Sequence, residues 1–354
     1  MDLGRGDVPG PPGDYPAPVA GSDPLVLGVD AGGTSVRALV ADPSGRRLGF
    51  GRAAGANPVA RGLPEAAERI DEAVRAALST VEAAEVAEIV VGMAGQGAFP
   101  RDDVDAVLEP VWRRNELTCR WAMYSDVEVA FAAASPRRDG LVVLSGTGAV
   151  VGEVRDGRLA RYLDGAGWLA GDVGSGYWLG LRAVRAAVAD REGRGDPTTL
   201  TAAVCERFGV AVPTSRGRPG TDRGVVDLIT AIYRRAPSSF AELAPLVSEA
   251  AVAGDAVATR FVERAATALL DEVAVLLRDT DDLRHAVLAG GVLLAPGPLR
   301  DAVRHGLVGR WGFDVAEARD GAAGAAWSAL YRLDREPPAS AHRELTTAAG
   351  SDES

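Results

Sequence analysis

The segment that decides the fold is LGVDAGGTSVRALV, at positions 27–40. A short apolar strand runs into the glycine-rich turn DAGGT, and a second strand begins at Ser35. Because glycine has no Cβ, backbone N–H groups in such a turn can approach an anion closely, and Thr34 and Ser35 add hydroxyl donors. Asp30 is placed to hold Mg²⁺, directly or through water. The alternative is an ordinary hairpin turn, in which Asp and Gly are also common.

A second turn of this kind occurs within LSGTGAVVGEV, at positions 144–154. Strands are predicted on either side of it, at Leu141–Leu144 and Ala149–Val154, with a third near Leu159–Leu163. Two strand–glycine turn–strand units of mixed α/β character predict two lobes that face a cleft and hold a polyphosphate from both sides. A late strand at His285–Ala289 ends in two further glycines. These suit contact with a flat adenine, although such a turn is also typical of a helix entry.

The rest of the chain alternates between helical and strand patterns. Apolar spacing predicts a helix at Pro64–Glu82 and strands at Ile89–Met93 and Arg120–Tyr124. The chain is predicted to be mainly helical from Tyr177 to Arg278, except for a polar loop around Thr214–Asp222. The predicted division is a disordered tail at 1–22, an N-terminal lobe at 23–135 joined by a C-terminal helix at 321–335, a C-terminal lobe at 136–320, and a flexible tail at 336–354.

Composition excludes several classes of function. The 354 residues carry a formal net charge of −11, so a nucleic-acid partner bound through a basic surface is not expected. The chain contains no lysine, which a Walker-type phosphate loop requires. No apolar run reaches the ~18 residues of a membrane span, and the N-terminus has no signal-peptide core. The two cysteines, Cys119 and Cys205, lack metal-site spacing and indicate reduced thiols in a cytoplasmic protein.

Asp126 is the candidate general base. It follows the strand predicted at Arg120–Tyr124 and, with Ser125, opens a helix of small residues. A carboxylate at this position can accept the proton of an attacking hydroxyl, as phosphoryl transfer requires. The alternative is a helix N-cap, for which Asp and Ser are favoured residues, and the local sequence alone leaves the two interpretations even.

Four segments carry a resemblance to a known family: DAGGTSVRALV, LSGTGAVVGEV, GDVGSGYWLG and AVLAGGV. In this order they resemble the phosphate, connecting and adenosine motifs of the actin-like ATPase superfamily, which includes hexokinase. More narrowly, from about Leu25 to Leu333 the chain resembles the BadF/BadG/BcrA/BcrD ATPase family and its N-acetylglucosamine kinases. The resemblance implies an α/β fold of two ribonuclease-H-like lobes around a nucleotide and sugar cleft, with Asp126 as the base and Asp30 at the metal site. It implies ATP contacts from Gly32, Gly33, Thr34, Ser35, Ser145, Gly146, Thr147, Gly148, Gly290 and Gly291.

The resemblance also implies a sugar site, formed by Asn57, Gly95, Gln96, Gly167 and Asp172. From the residues alone, Asn57 could instead be a turn residue before proline, and Asp172 a capping acid for the helix that begins near Tyr177. This loop departs from the family pattern, because Gly-Ala-Gly-Trp at 165–168 replaces the usual Gly-Gly-Trp-Gly and a valine at 173 replaces glutamate. These departures put the identity of the sugar in doubt, but not phosphoryl transfer.

The leading interpretation is therefore an ATP- and Mg²⁺-dependent kinase that phosphorylates the 6-hydroxyl of N-acetyl-D-glucosamine. A D-glucosamine kinase of the same family is the alternative. An ATPase activator of a dehydratase would need cysteines for an iron–sulfur cluster, and the chain has two. A sugar sensor without catalysis is expected to lack Asp30 or Asp126. Kinases of the ROK family usually carry a zinc-binding His and Cys cluster, whereas His285, His305 and His342 are scattered. Relatives often form homodimers, but the sequence does not show the oligomeric state.

Overall fold

The computed structural model describes residues 23–211, 223–280, 282–334 and 336–347. The chain divides into two compact units. The first unit comprises the chain up to Arg138, the short segment Asp156–Arg158 and the chain from Ala318 onward. The second unit comprises Asp139–Arg155 and Leu159–Glu317. The sequence placed the corresponding breaks at 135/136 and 320/321. The predicted tail at 1–22 and the polar loop at 214–222 lie outside the described residues.

The first unit is built on a five-stranded sheet with the strand order β3-β2-β1-β4-β5. β1 pairs antiparallel with β2 and parallel with β4, and β5 continues the parallel side. The strands are β1 (Leu25–Ala31), β2 (Ser35–Ala41), β3 (Arg47–Ala54), β4 (Val86–Met93) and β5 (Arg120–Ser125). The helices are α1 (Pro58–Arg61), α2 (Leu63–Ala77), α3 (Arg101–Arg114), α4 (Asp126–Ala134), α13 (Gly321–Leu333) and α14 (Ala339–Thr347).

The β1 strand is buried on both faces, and its side chains alternate between two cores. Leu25, Leu27 and Val29 belong to the core that also includes buried residues of α2 and α3, whereas Val26 belongs to the core formed with α13. Gly28 faces α13 as well, and a Cβ there would lie 2.2 Å from the Ala326 backbone nitrogen. Glycine at this position therefore lets the backbone of α13 lie directly against the strand.

A second glycine brings α13 against α4. A Cβ at Gly324 would lie 2.0 Å from the Val129 carbonyl oxygen, so the two helix backbones are in direct contact. Both helices begin at the edge of the sheet where β1 and β5 end, because β1, β4 and β5 run parallel. The small residues of this layer thus place the N-termini of α4 and α13 beside the end of β1.

The second unit repeats this topology. Its sheet has the order β10-β9-β6-β7-β8, in which β6 pairs antiparallel with β7 and parallel with β9. The strands are β6 (Gly140–Ser145), β7 (Ala149–Arg155), β8 (Arg158–Asp164), β9 (His285–Ala289) and β10 (Asp314–Glu317). The helices are α5 (Gly167–Ala170), α6 (Gly176–Arg191), α7 (Leu200–Arg207), α8 (Arg223–Tyr233), α9 (Ala244–Val252), α10 (Ala256–Leu276), α11 (Gly291–Leu294) and α12 (Pro298–Trp311).

Two predicted boundaries differ from the structure. The helix predicted at Pro64–Glu82 ends at Ala77 and gives way to the short 3₁₀ helix Leu78–Thr80. Part of the predicted flexible tail at 336–354 forms α14, because Ala341 and Leu345 are buried in the core beside α13 and His342 packs edge-on against Trp327. Along the described residues, no helix combines the length and apolarity that crossing a membrane requires.

Candidate active site

Asp30 lies at the penultimate position of β1, on the face that meets α13. A Cβ at position 321 would lie 2.3 Å from Asp30 Oδ2, so the carboxylate contacts the first turn of that helix. Burial, together with the charge of Asp126 and the weaker effect of Asp320, raises the pKa of Asp30 to about 7. Arg37, its register partner on β2, opposes this rise. Asp30 is therefore an acidic group held where negative charge accumulates.

Asp126 is the first residue of α4, and it is not the helix cap. Ser125 is the N-cap: its hydroxyl accepts a hydrogen bond from Glu128 N at 3.2 Å, and Glu128 Oε2 accepts one from Ser125 N at 2.5 Å. The Asp126 carboxylate accepts a hydrogen bond from the adjacent Val127 N–H at 3.0 Å. Burial raises the pKa of Asp126, and that hydrogen bond partly offsets the rise. The capping alternative is thus met by Ser125, which frees the Asp126 carboxylate for another role.

Asp320 is a third carboxylate of this group, and the sequence did not single it out. It caps α13, where its carboxylate accepts a hydrogen bond from Ala323 N at 3.3 Å. Its other oxygen pairs with Arg47 at 2.6 Å, and the charge of Asp320 acts on Asp30. An aspartate directly before the small-residue run GAAGAA is a typical N-cap. The sequence therefore indicated the cap, but it did not indicate that Asp320 lies near Asp30.

The residues fit a magnesium ion that is shared with substrate phosphates. Across the described parts of the chain, no three His, Cys, Asp or Glu side chains are grouped as a metal cage. Mg²⁺ seldom needs one, because it keeps several waters and binds through one or two carboxylates plus phosphate oxygens. A carboxylate such as Asp30, whose ionisation is opposed by burial and by Asp126, is stabilised by a nearby cation.

The first predicted phosphate turn has open space beside its glycines. A Cβ at Gly33 would meet no atom within 4 Å, and one at Gly32 would meet only Ser35 O, at 3.3 Å. Gly33 and Thr34 are exposed, and the turn is fixed by hydrogen bonds from Gly32 N to Ser35 O at 3.1 Å and from Ala56 N to Gly32 O at 3.0 Å. Neither packing nor a left-handed backbone requires glycine at Gly33. Close approach of a ligand to the backbone remains a reason for glycine at this position.

Two of the predicted sugar residues of the first unit lie side by side. Asn57 caps α1 through its Oδ1, which accepts a hydrogen bond from Val59 N at 2.9 Å. A Cβ at Gly95, whose φ is +72°, would lie 3.5 Å from that same Oδ1. Gln96 follows and begins the 3₁₀ helix Gln96–Ala98. The turn interpretation of Asn57 is therefore correct in part, and the structure also places it against the Gly95 loop.

In the second unit, Ser145 has a structural role. It is fully buried at the end of β6, and its hydroxyl donates to the Gly174 carbonyl at 2.8 Å. Its hydroxyl is therefore already hydrogen-bonded within the protein, and the ATP contact predicted for Ser145 stays a prediction. Thr147, at the tip of the same turn, is exposed, and a Cβ at the next residue, Gly148, would lie 3.1 Å from the Asp172 carboxylate. Of the two hydroxyls in the turn, Thr147 is the one that faces solvent.

The predicted adenosine motif packs on this turn. Gly290 has a φ of +84°, and a Cβ there would lie 2.4 Å from the Ser145 carbonyl carbon. A Cβ at Gly146 would in turn lie 3.7 Å from Gly290 Cα. The four-residue helix α11 begins at Gly291, so the helix-entry interpretation also holds. The structure thus brings the second phosphate turn and the late glycine pair together, and it accounts for Gly290 by conformation and packing.

Asp172 is buried behind the second turn. It has a φ of +58°, which is unusual for a residue other than glycine. Burial raises its pKa, the backbone N–H groups of Ala149 and Gly167 lower it by hydrogen bonding, and the charge of Asp164 adds to the rise. The helix α6 is capped by Ser175, which accepts from Trp178 N at 3.0 Å, so Asp172 is not its capping acid.

Two further carboxylates surround Asp172, and the sequence identified neither. Asp164 accepts a hydrogen bond from Asp172 N at 2.7 Å. Glu272, on α10, has its pKa raised to about 8 by burial and by the charges of Asp164 and Asp172. Trp168, whose position departs from the family pattern, is half exposed and packs against Tyr177 with ring centroids 5.3 Å apart. Asp164, Asp172 and Glu272 therefore concentrate acidic groups around the loop between β8 and α6.

Comparison with known proteins identifies the family. The model of the BadF/BadG/BcrA/BcrD ATPase family matches residues 27–329. The chain belongs to this family. An N-acetylmuramic acid/N-acetylglucosamine kinase of Clostridium acetobutylicum is 29% identical over 215 residues, which span 59% of this chain and 65% of that enzyme. An N-acetyl-D-glucosamine kinase of Dictyostelium discoideum is 27% identical over 298 residues, 79% of this chain and 89% of that enzyme.

Solved structures confirm the two-lobed α/β fold. A protein from Chromobacterium violaceum, provisionally named an N-acetylglucosamine kinase, superposes with a TM-score of 0.65 at 24% identity, over 87% of this chain and 99% of that one. A ROK family glucokinase from Streptomyces griseus, in complex with glucose and AMPPNP, superposes with a TM-score of 0.53 at 22% identity, over 88% and 99%. Family and relatives together indicate an ATP-dependent sugar kinase, as the sequence predicted.

Proposed function

We propose that this protein transfers the γ-phosphate of ATP to the 6-hydroxyl of N-acetyl-D-glucosamine, with Asp126 as the general base. The names of the two relatives support the acceptor. The observation that carries the proposal is that Asp126 lies at the start of α4 without being its N-cap. Ser125 and Glu128 form the capping box, so the carboxylate at the start of α4 has no capping role and lies among the charges around Asp30.

In this mechanism the Asp126 carboxylate accepts the proton of the sugar hydroxyl while that oxygen forms a bond to the γ-phosphorus and the bond to the ADP oxygen breaks. The hydrogen bond from Val127 N–H holds the carboxylate in place. Its raised pKa makes it a stronger base than an exposed aspartate. Asp30 would hold Mg²⁺, which neutralises phosphate charge when it is bound. The open turn at Gly32–Ser35 offers backbone N–H groups and hydroxyls to phosphate oxygens.

The second unit is proposed to contribute the other nucleotide contacts. Gly146, Thr147 and Gly148 form a turn on which Gly290 packs, so the two glycine-rich segments make one surface. Backbone N–H groups of the turn suit phosphate, and the flat glycine pair suits adenine. For the sugar we propose contacts from Asn57, Gly95, Gln96, Gly167 and Asp172. The first two of these are neighbours in one unit, and in the other the Gly167 N–H is near enough to the Asp172 carboxylate to lower its pKa.

D-Glucosamine is the second candidate acceptor, and one observation favours it. Asp172 is accompanied by Asp164 and by Glu272, whose ionisation is opposed by both of them. Such a group of carboxylates attracts the ammonium group of glucosamine. The same charges oppose a carboxylate-bearing sugar such as N-acetylmuramic acid. A dehydratase activator is disfavoured, because Cys205 is buried in one core and Cys119 is partly buried against another, so neither presents a freely exposed thiol.

A coupled assay of ADP release tests the proposal with N-acetylglucosamine, glucosamine, N-acetylmannosamine, N-acetylmuramic acid, glucose and no sugar. Release with N-acetylglucosamine supports the main proposal, and a preference for glucosamine supports the second. Turnover that is independent of sugar would refute both. The variant Asp126→Asn is expected to lose ~10²–10⁴-fold in kcat with sugar binding retained. Asp103→Asn, an exposed aspartate on α3, is the matched control and is expected to retain full turnover. A homodimer and a cytoplasmic location stay predictions.

A further inference from the structure

The loop from Asp164 to Asp172 holds two aspartates in left-handed backbone conformations. The φ angles are +63° at Asp164 and +58° at Asp172. A non-glycine residue in this region costs energy and persists when its surroundings fix it. The loop contains Gly165 and Gly167, also at positive φ, so the chain reverses direction repeatedly between the end of β8 and the start of α6.

Asp164 is the group that fixes this loop. Its carboxylate accepts three backbone N–H bonds, from Asp172 at 2.7 Å, from Val173 at 3.0 Å and from Ala166 at 3.3 Å. Two of these donors flank the Asp172 side chain. Gly171 supplies the necessary room, because a Cβ there would lie 1.9 Å from Asp164 Oδ1. The carboxylate of Asp164 is therefore enclosed by the loop whose shape it determines.

The same loop sets the position of the Asp172 carboxylate. That carboxylate lies beside the second glycine-rich turn, where a Cβ at Gly148 would approach Asp172 Oδ2 to 3.1 Å. The nearby N–H groups of Ala149 and Gly167 lower the pKa of this carboxylate. The loop is also tied to β7 by a hydrogen bond from Gly165 N to Ala149 O at 2.9 Å. The position of Asp172 thus depends on contacts that Asp164 organises.

We propose that Asp164 is the positioning residue for Asp172: it holds Asp172 in the left-handed conformation that aims its carboxylate at the sugar. The inference deepens the proposed function and depends on it for the role of Asp172. It assigns to Asp164 an effect on sugar binding without direct contact with the sugar. An asparagine at position 164 would place an NH₂ group against a backbone N–H donor and release part of the loop.

The test compares Asp164→Asn with Asp255→Asn. Asp255 is a matched control in the same unit, because its carboxylate also accepts three backbone N–H bonds, from Val257 and Ala258 at 2.9 Å and from Thr199 at 2.7 Å. Asp255 also accepts hydrogen bonds from the Thr198 and Thr199 hydroxyls, both at 2.9 Å, so the control carboxylate takes part in at least as much local bonding as Asp164. Asp164→Asn is expected to raise the KM for the sugar roughly 10- to 100-fold with the KM for ATP unchanged, and Asp255→Asn is expected to change neither. A sugar KM equal to wild type in Asp164→Asn would overturn the inference.

A double variant separates positioning from a general loss of structure. If Asp164 acts through Asp172, Asp164→Asn combined with Asp172→Asn has the same sugar KM as Asp172→Asn alone. If the sugar KM of the double variant instead rises by the product of the two single-variant effects, the inference is contradicted. Gly171→Ala, which pushes a methyl group against Asp164 with both aspartates intact, is the second variant if Asp164→Asn does not fold, and it is expected to raise the sugar KM in the same way.

Hydrogen exchange distinguishes the failure of this inference from the failure of the proposed function. The amides of Asp172 and Val173 donate to Asp164, so exchange in residues 165–174 is expected to accelerate in Asp164→Asn and to stay at the wild-type rate in Asp255→Asn. Unchanged exchange in Asp164→Asn refutes the positioning role, whatever the activity. If Asp172→Asn leaves the sugar KM unchanged, the sugar contact of Asp172 fails, and with it the assignment of Asp164 to sugar binding.

Discussion

Replacement of Asp30 by asparagine is expected to stabilise the metal-free protein at neutral and alkaline pH. The folded state raises the pKa of Asp30 from 3.8 to about 7, through burial and the charge of Asp126. Between these two values the folded protein retains a proton that the unfolded chain has already lost, so its stability falls as the pH rises through this interval. Asparagine keeps the shape of the side chain and removes the ionisation.

The size of the effect follows from the shift. One pKa unit corresponds to ~1.4 kcal/mol of differential interaction. Between pH 5.5 and pH 8 the wild type passes through the upper ~1.5 units of the interval, and its free energy of unfolding falls by ~2 kcal/mol from this group. The free energy of unfolding of Asp30→Asn does not decrease in this way, because asparagine does not ionise. Arg37 faces a charged Asp30 at pH 8 but a protonated one at pH 5.5, and the pKa of about 7 already includes this attraction. The pH-dependent difference between the proteins is therefore the informative quantity.

Urea denaturation at pH 5.5 and pH 8, in EDTA and followed by tryptophan fluorescence, measures this difference. The stability of Asp30→Asn relative to wild type should rise by ~2 kcal/mol between the two pH values, with Mg²⁺–ATP turnover lost. Asp42→Asn is the control. Burial acts to raise the pKa of Asp42, but hydrogen bonds from Ser44 and Arg46 lower it below its usual value. Its contribution is complete above about pH 4, so the control should be destabilised equally at both pH values. A pH-independent difference for Asp30→Asn would refute the reasoning.

Three substitutions at predicted nucleotide residues are expected to give different results. Gly33→Ala should retain wild-type stability, because its Cβ meets open space, and should raise the KM for ATP; an unchanged KM in a steady-state assay contradicts the phosphate contact. Gly290→Ala should lower stability by several kcal/mol, measured by urea denaturation, since its Cβ would lie 2.4 Å from the Ser145 backbone at a positive φ. Ser145→Ala should cost ~1 kcal/mol of stability with the KM for ATP unchanged, and a rise in that KM would show that the Ser145 hydroxyl contributes to ATP binding.

Much of the fold could be predicted from the sequence, because its strongest signals are local. The apolar strands at Leu25–Ala31 and His285–Ala289 are bounded by glycine-rich turns, and the small-residue helix α13 has an unbroken pattern. The end of α2 was not predicted correctly, since Leu78 and Val81 continue the helical spacing although the chain has already turned at Ala77. The helix α14 was missed, because its burial depends on contacts with distant residues of α13.

The candidate site was predictable where a motif carried it and not where two distant segments meet. Asp30 lies at the end of β1 and Asp126 directly follows β5, and the parallel β1, β4 and β5 end at the same edge of the sheet. Asp320 reaches Asp30 only because glycines at 28 and 324 allow α13 to lie against β1 and α4. Nothing in the local sequence of Asp320 reports that packing. The position of Asp320 near Asp30 was therefore missed, although its role as the N-cap of α13 could have been predicted.

Glycines in nucleotide motifs are retained for two physical reasons, which sequence patterns do not separate. Gly290 is required by the fold, because its backbone is left-handed and Ser145 occupies the space of a side chain. Gly33 has neither constraint, and the free space beside it faces outward from an exposed turn. A glycine that the protein itself does not need is the stronger indication of a ligand. By this criterion Gly33, and likewise the exposed Gly291, where a Cβ would also meet no atom within 4 Å, carry more of the case for a ligand than Gly290 does.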